Sequence, residues 1–166
     1  MSYDSNSRSV RQGNAAEYTF CHRIRQNHPS LSVVAATPYQ NKAEHWDYSV
    51  DRFRIDVKST KRHNRNDEQI STDVCLELDG EGPSNGWLRG AATHIAFALD
   101  DGSFILFGRK ALLEWITPRV TANVELRYGG ENVEYFQKYR RASKRKEVVV
   151  WVRLAELKTH LKHLAV

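Results

Sequence analysis

The order of the predicted elements is typical of an α/β fold in which a mixed β-sheet is flanked by helices. An amphipathic helix comes first, short strands and hairpins follow, and a second amphipathic helix ends the sequence. Elements in such an order pack as layers around a shared core. The 166 residues suffice for one domain that buries its own core. We assign residues 9–166 to this domain and expect the polar residues 1–8 to be disordered.

Periodicity predicts the first helix and a strand after it. In residues 9–26, Ala16, Phe20 and Ile24 recur at four-residue intervals, as on one face of a helix, and Pro29 lies just beyond. Residues 31–37 are a β-branched run, which we interpret as a central strand that ends before Pro38.

A β-hairpin is predicted next, with its turn around residues 51–52. Apolar and polar residues alternate in both of its strands, which is the pattern of half-buried strands. The apolar positions are Trp46, Tyr48 and Val50 in the first strand and Phe53, Ile55 and Val57 in the second. We expect all six to face one core.

The remaining elements follow from similar patterns, and a tight turn at residues 100–102 is the clearest hairpin signal in the sequence. A helix over residues 109–116 is expected to end at Thr117-Pro118. Residues 132–139 are interpreted as a helical or irregular lead-in to the basic run at residues 138–146. Strands are predicted at 73–78, 91–99, 103–107, 120–128 and 147–152, and the last helix at 153–164.

The hairpin brings charged residues together. A period of two places Asp56 and Lys58 on the same face of the second strand, opposite its apolar residues, and Asp47 should project toward them. Asp51 competes for the role of first acid, but its turn position aims it away from Lys58. Two carboxylates suit a hard cation such as Mg²⁺, and a lysine beside the cation can orient and deprotonate a water that attacks phosphorus.

The spacing Asp47-(x8)-Asp56-x-Lys58 resembles the signature of the PD-(D/E)xK nuclease superfamily, with Trp46 where the name has proline. The resemblance covers about residues 9–108, and the segment 86–90 looks like small phage-type members. It implies a restriction-endonuclease-like fold and a Mg²⁺-dependent DNA endonuclease, with Mn²⁺ able to substitute. Asp47, Asp56 and the Val57 carbonyl would bind the metal, Lys58 would activate the water, and Glu17 on the first helix would complete the site. Alternatively, Glu17 is an ordinary acid in the first half of a helix.

Basic residues indicate a polyanion as partner. The net charge of +5 arises largely from one run between residues 138 and 146, which carries six positive and no negative charges. A solvated linker would have the same composition. The polar loop after Lys58 is also basic, and Trp87 with Arg89 could stack on a base, although core packing is the favoured alternative for Trp87. The predicted DNA-binding residues are Lys61, Arg62, Arg65, Trp87, Arg89, Lys138, Arg140, Arg141, Lys144, Arg145 and Lys146.

Composition bounds the setting. With two cysteines and no CxxC motif, neither a disulfide framework nor a structural zinc site is indicated, so we expect the reducing cytoplasm of a bacterium or a phage-infected host. No membrane segment and no small-molecule cofactor are predicted. The resemblance also implies a homodimer. It further allows a role as a Holliday-junction-type nuclease in DNA recombination, repair or phage DNA processing, because the superfamily includes such enzymes. The alternative function is a non-catalytic nucleic-acid-binding protein that keeps the nuclease-like fold.

Overall fold

A computed structural model describes residues 8–59, 73–79, 86–122, 136–140 and 148–166. The helices are α1 (Arg8–Asn27), α2 (Arg109–Ala122) and α3 (Leu154–His160). The strands are β1 (Val33–Ala35), β2 (Tyr48–Val50), β3 (Phe53–Lys58), β4 (Asp73–Asp79), β5 (His94–Ala98), β6 (Phe104–Gly108), β7 (Phe136–Arg140), β8 (Val148–Arg153) and β9 (His163–Ala165). A π-helical turn covers Gln40–Glu44 and a 3₁₀ turn covers Trp87–Arg89.

Six strands form the main sheet in the order β1-β2-β3-β5-β6-β9. The central pair, β3 and β5, is parallel, and the other pairs are antiparallel. Three further strands form a second sheet in the order β4-β8-β7. The predicted α/β class with a mixed sheet is therefore confirmed, and most of its pairing is antiparallel.

Two apolar clusters cover the two faces of the main sheet. On one face, Phe20 and Ile24 of α1 pack against Ile55 and Val57 of β3. On the other face, the second sheet and helices α2 and α3 pack over β5 and β6. The buried residues of this larger cluster include Leu76, Ile95, Phe97, Phe107, Leu112, Ile116, Val150, Val152 and Leu157. Because side chains alternate along a strand, β5 and β6 contribute to both clusters.

The predicted hairpin forms, and its turn is tight. Tyr48 lies opposite Ile55 and Val50 opposite Phe53. Asp51 has a φ of 50°, and its carboxylate accepts a hydrogen bond from the Ser32 amide at 2.8 Å. Aspartate tolerates this left-handed conformation better than most residues.

The expectation that all six apolar residues of the hairpin face one core is wrong for two of them: Phe53 is 39% exposed, and Trp46 does not share a face with Tyr48 and Val50. β2 begins only at Tyr48, and His45 just upstream has a left-handed φ of 56°. The chain also bends at Asp47, between Trp46 and Tyr48, and this bend interrupts the alternation. Trp46 is therefore buried in the larger cluster, whereas Tyr48 and Val50 pack on the α1 side.

Two further strand predictions are wrong. The run at residues 31–37 yields β1 at the edge of the sheet, where Val34 is 57% exposed, and not a central strand. The segment expected to be helical or irregular before the basic run contains β7, because β8 offers it a pairing partner.

Two helix ends also differ from expectation. α2 continues through Pro118, and nearby side chains donate to its carbonyls: Thr117 to Leu113 O and Arg119 to Trp115 O. α3 ends at His160, four residues early, since β9 then pairs with β6.

Several predicted features lie outside the described residues. These are the disorder of residues 1–7, the basic loop after residue 59, most of the predicted 120–128 strand, and residues 141–147 of the basic run. No helix in the described part of the chain is long and apolar enough to cross a membrane.

Candidate active site

The site lies at the open end of the β2–β3 hairpin, where the two strands diverge. The last backbone bond there joins the Asp47 amide to Ile55 O at 2.8 Å. One pair further along β3, the Val57 amide donates to Asp47 Oδ2 at 2.7 Å. A side-chain carboxylate thus replaces the backbone acceptor that a longer β2 would supply. Because the N–H and C=O of one strand residue point to the same edge, the Val57 carbonyl also faces this edge.

A second donor fixes the other oxygen of the same carboxylate. Asn41, in the π-helical turn, donates through Nδ2 to Asp47 Oδ1. Asp47 is 9% exposed and is therefore held in one orientation from both sides. No sequence motif includes Asn41, which lies six positions before Asp47, so its role was not predicted. The π-helical turn at Gln40–Glu44, followed by the left-handed His45, brings the Asn41 side chain next to the Asp47 carboxylate.

Asp56 is the most deeply buried acid of the site, at 3% exposure. Its Oδ1 forms an ion pair with Lys58 Nζ at 2.7 Å. Its Oδ2 is buried and has no hydrogen-bond partner among the described residues. The Lys58 ammonium also lies 4.7 Å from the centre of the Trp87 ring, a cation–π distance. Lys58 is thus fixed between an acid and an aromatic face.

The acids of this site ionise less readily than ordinary carboxyl groups. Burial, followed by the negative charge of Asp47, raises the pKa of Asp56 to about 7, against an opposing effect of Lys58. Burial also raises the pKa of Asp47, although the Val57 amide and Lys58 lower it. The two carboxyl groups are close enough to interact through a hydrogen bond when one of them is protonated. Two such acids at one spot favour a bound cation.

Glu17 lies near this cluster, as expected from its place on the first helix. It is partly buried, and burial followed by the charge of Asp47 raises its pKa to about 7, while Lys58 lowers it. The structure therefore brings Glu17, Asp47, Asp56 and Lys58 into one electrostatic neighbourhood. Asp51, the competing acid, binds the Ser32 amide at the opposite end of the hairpin.

The donor set fits a hard divalent cation in part. Among the described residues, no group of three or more His, Cys, Asp or Glu side chains is arranged to hold a metal ion. Mg²⁺, however, is commonly held by one or two carboxylates together with water and substrate phosphate. Asp47 and Asp56 supply two carboxylates, and the partnerless Asp56 Oδ2 is a buried oxygen that a cation would satisfy. These residues therefore fit Mg²⁺ as a pair of ligands.

Trp87 and Arg89 do not form the predicted stacking platform. Trp87 is 5% exposed and belongs to the larger core cluster, so it is not accessible to an incoming base. This agrees with core packing, the alternative reading of the sequence. Arg89 is exposed, but its Nε donates to Leu78 O at 3.1 Å, which ties it to β4.

For the other predicted DNA-binding residues, the structure describes either the backbone alone or nothing. Lys138 and Arg140 belong to β7, whose side chains are not described. The rest lie outside the described residues: Lys61, Arg62, Arg65, Arg141, Lys144, Arg145 and Lys146.

Comparison of the chain with protein-family models, with curated proteins and with solved structures finds no match. The resemblance to PD-(D/E)xK nucleases thus depends on the residues of the site alone.

Proposed function

We propose that this chain is a metal-dependent endonuclease with a restriction-endonuclease-like fold, and that it hydrolyses phosphodiester bonds in DNA. The observation that supports this best is the meeting of Asp47, Asp56 and Lys58 at the open end of the hairpin, with Asp56 Oδ2 buried and partnerless among the described residues. Buried polar atoms in a purely structural cluster almost always have partners. A buried carboxylate oxygen that no neighbouring protein group donates to is expected where a ligand completes the site.

Mg²⁺ would be held by Asp47, Asp56 and the Val57 carbonyl, and Glu17 would bind a second ion or a metal-bound water. When bound, the ion neutralises charge on the phosphate and lowers the pKa of a coordinated water. Mn²⁺, which has similar ligand preferences, is expected to substitute.

The protein residues supply orientation. Hydrogen bonds from the Val57 amide and Asn41 hold the Asp47 carboxylate in place before substrate arrives. Lys58 Nζ, fixed by Asp56 and the Trp87 ring, donates hydrogen bonds that orient the attacking water and the phosphate oxygens. The water loses a proton to solvent as its oxygen bonds to phosphorus, the P–O bond to the leaving sugar oxygen breaks, and that oxygen takes up a proton from solvent.

Cleavage assays test the proposal. The purified chain is incubated with supercoiled plasmid, linear duplex, single strands and a four-way junction, each in Mg²⁺, Mn²⁺ or EDTA. We expect metal-dependent products, and a loss of at least about 100-fold in rate for Asp47→Asn and Lys58→Ala, since each removes an oriented charged group from the reacting centre.

Matched controls come from the same fold. Asp51→Asn changes an acid at the far end of the same hairpin, and Lys110→Ala removes an exposed lysine of α2. Both controls should cleave at the wild-type rate. Retardation of DNA without products in any metal would favour the non-catalytic nucleic-acid-binding protein, and unchanged cleavage by Asp47→Asn and Lys58→Ala would remove these residues from the reaction.

A further inference from the structure

A cavity of about 500 Å³ opens beside Lys58 and contains neither Asp47 nor Asp56 in its wall. It lies at the carboxyl ends of β3 and β5, the parallel pair of the main sheet, and β4 and α3 close its other side. Lys58 thus faces both the candidate active site and this cavity. In open α/β sheets, ligands commonly bind at the carboxyl ends of parallel strands.

The lining combines an apolar floor with a few charged groups. Val74, Phe97 and Leu154 contribute apolar surface. Positive charge comes from Lys58, Arg153 and Lys158, and negative charge from Asp73, Asp100 and Asp101. A concave site of this volume, with mostly apolar surface and charged groups around it, is typical of sites for small organic groups rather than for a flat duplex surface. Asp100 at the rim can accept a hydrogen bond.

We propose that this cavity receives one unpaired base of the DNA strand being cut, while the phosphates next to that base contact Lys58 and Lys158. The inference rests on the proposed nuclease function and specifies its substrate class. A base has apolar faces suited to the floor, and the amino groups of cytosine and adenine are donors suited to Asp100. Because Lys58 belongs to both the cavity and the candidate active site, a base in the cavity lies within about one nucleotide of the scissile phosphate.

Pairing excludes a base from this site. Within a duplex the base is stacked and paired, and it reaches a concave pocket only after it leaves the stack, which has a cost in free energy. Nucleotides that are already unpaired avoid this cost. The preferred substrate is therefore DNA with single-stranded nucleotides at the cut site, such as a flap, a fork or a free single strand.

Filling the cavity tests the proposal. Ala155 lines the cavity but is exposed on α3, so Ala155→Phe adds a ring there without disturbing the core. Ala15→Phe, at an exposed position of α1, is the matched control. Binding of a fluorescein-labelled 12-nucleotide single strand, and of the duplex of the same sequence, is measured by anisotropy in EDTA. Thermal melting of each variant verifies folding.

We expect Ala155→Phe to weaken single-strand binding by about 10-fold, within the range that one stacked base contributes, and to change duplex binding by less than about 2-fold. Lys158→Ala should weaken single-strand binding as well, whereas its control Lys110→Ala should not. Equal losses on single strand and duplex, or no loss on either, would overturn the inference.

Cleavage in Mg²⁺ separates this inference from the proposed function. If the wild type cleaves and Ala155→Phe cleaves single-stranded and duplex DNA at wild-type rates, the base site is refuted and the nuclease stands. If the wild type cleaves nothing while Ala155→Phe still selectively loses single-strand binding, the base site is supported and the nuclease is refuted.

Discussion

Replacing Asp56 by asparagine should make the metal-free protein more stable at pH 8 while removing its proposed activity. Asp56 is 3% exposed, one of its oxygens has no partner among the described residues, and its pKa is raised from 3.8 to about 7. The folded chain therefore holds this proton more tightly than the unfolded chain does. The contribution of the Asp56 carboxyl group to the unfolding free energy is therefore fully present below about pH 4, and it is lost as the pH rises toward 7.

The magnitude follows from the pKa. Each pKa unit corresponds to about 1.4 kcal/mol, so the ionised Asp56 costs up to about 4 kcal/mol of unfolding free energy at pH 8. Asparagine keeps the size of the side chain, carries no charge, and its amide oxygen can still accept from Lys58. Because Lys58 loses its ionic partner, we expect a net gain of about 1–3 kcal/mol.

Urea denaturation in EDTA, followed by tryptophan fluorescence at pH 4 and pH 8, measures this difference. Asp56→Asn should match the wild type at pH 4 and exceed it at pH 8. Asp51→Asn, at an exposed position, should show no such gain. An Asp56→Asn protein that is no more stable than the wild type at pH 8, or a gain that is independent of pH, would refute the electrostatic reasoning.

Three further predictions concern the metal, the orientation of Asp47 and the second helix. Saturating Mg²⁺, at about 100 times its Kd, should stabilise the wild type by about 2.7 kcal/mol and leave Asp56→Asn unchanged, as measured by thermal melting. Asn41→Ala should lower the cleavage rate by about 10-fold, because Asp47 loses one of two orienting hydrogen bonds, whereas the neighbouring exposed Lys42→Ala should not; equal rates would contradict this role. Pro118→Ala should stabilise the chain by about 1–3 kcal/mol in urea denaturation, since proline is unfavourable inside a helix, and a destabilised variant would show that its ring is needed for packing.

The hairpin and its acids were predictable because their signals are local. Alternation with a period of two fixes the faces of β3, and the turn at Asp51 fixes its pairing with β2. Those two facts alone place Asp56 and Lys58 together and bring Asp47 to them. Glu17 was predicted from a resemblance rather than from periodicity, and it lies close enough to Asp47 and Lys58 for their charges to affect its pKa.

The features that were missed depend on contacts between distant segments. The short strand β7 forms because it pairs with the edge of β8, and β9 forms because it pairs with the edge of β6. No local sequence pattern indicates either pairing. Trp46 lies on the other side of the sheet because the chain bends at Asp47, just before β2 begins, and alternation along the sequence gives no indication of that bend. The cavity beside Lys58 needs the second sheet and α3 to close over the main sheet, and sequence gives no indication of that packing.

The Val57 amide gives this site a built-in spectroscopic reporter. Its proton points at a carboxylate oxygen of Asp47 at 2.7 Å instead of at a backbone carbonyl. A nitrogen–proton NMR spectrum should therefore show this one resonance shifting when Asp47 gains a proton or a cation, while amides bonded along the rest of the strand stay in place. Occupancy of the site can then be followed in solution without any substrate.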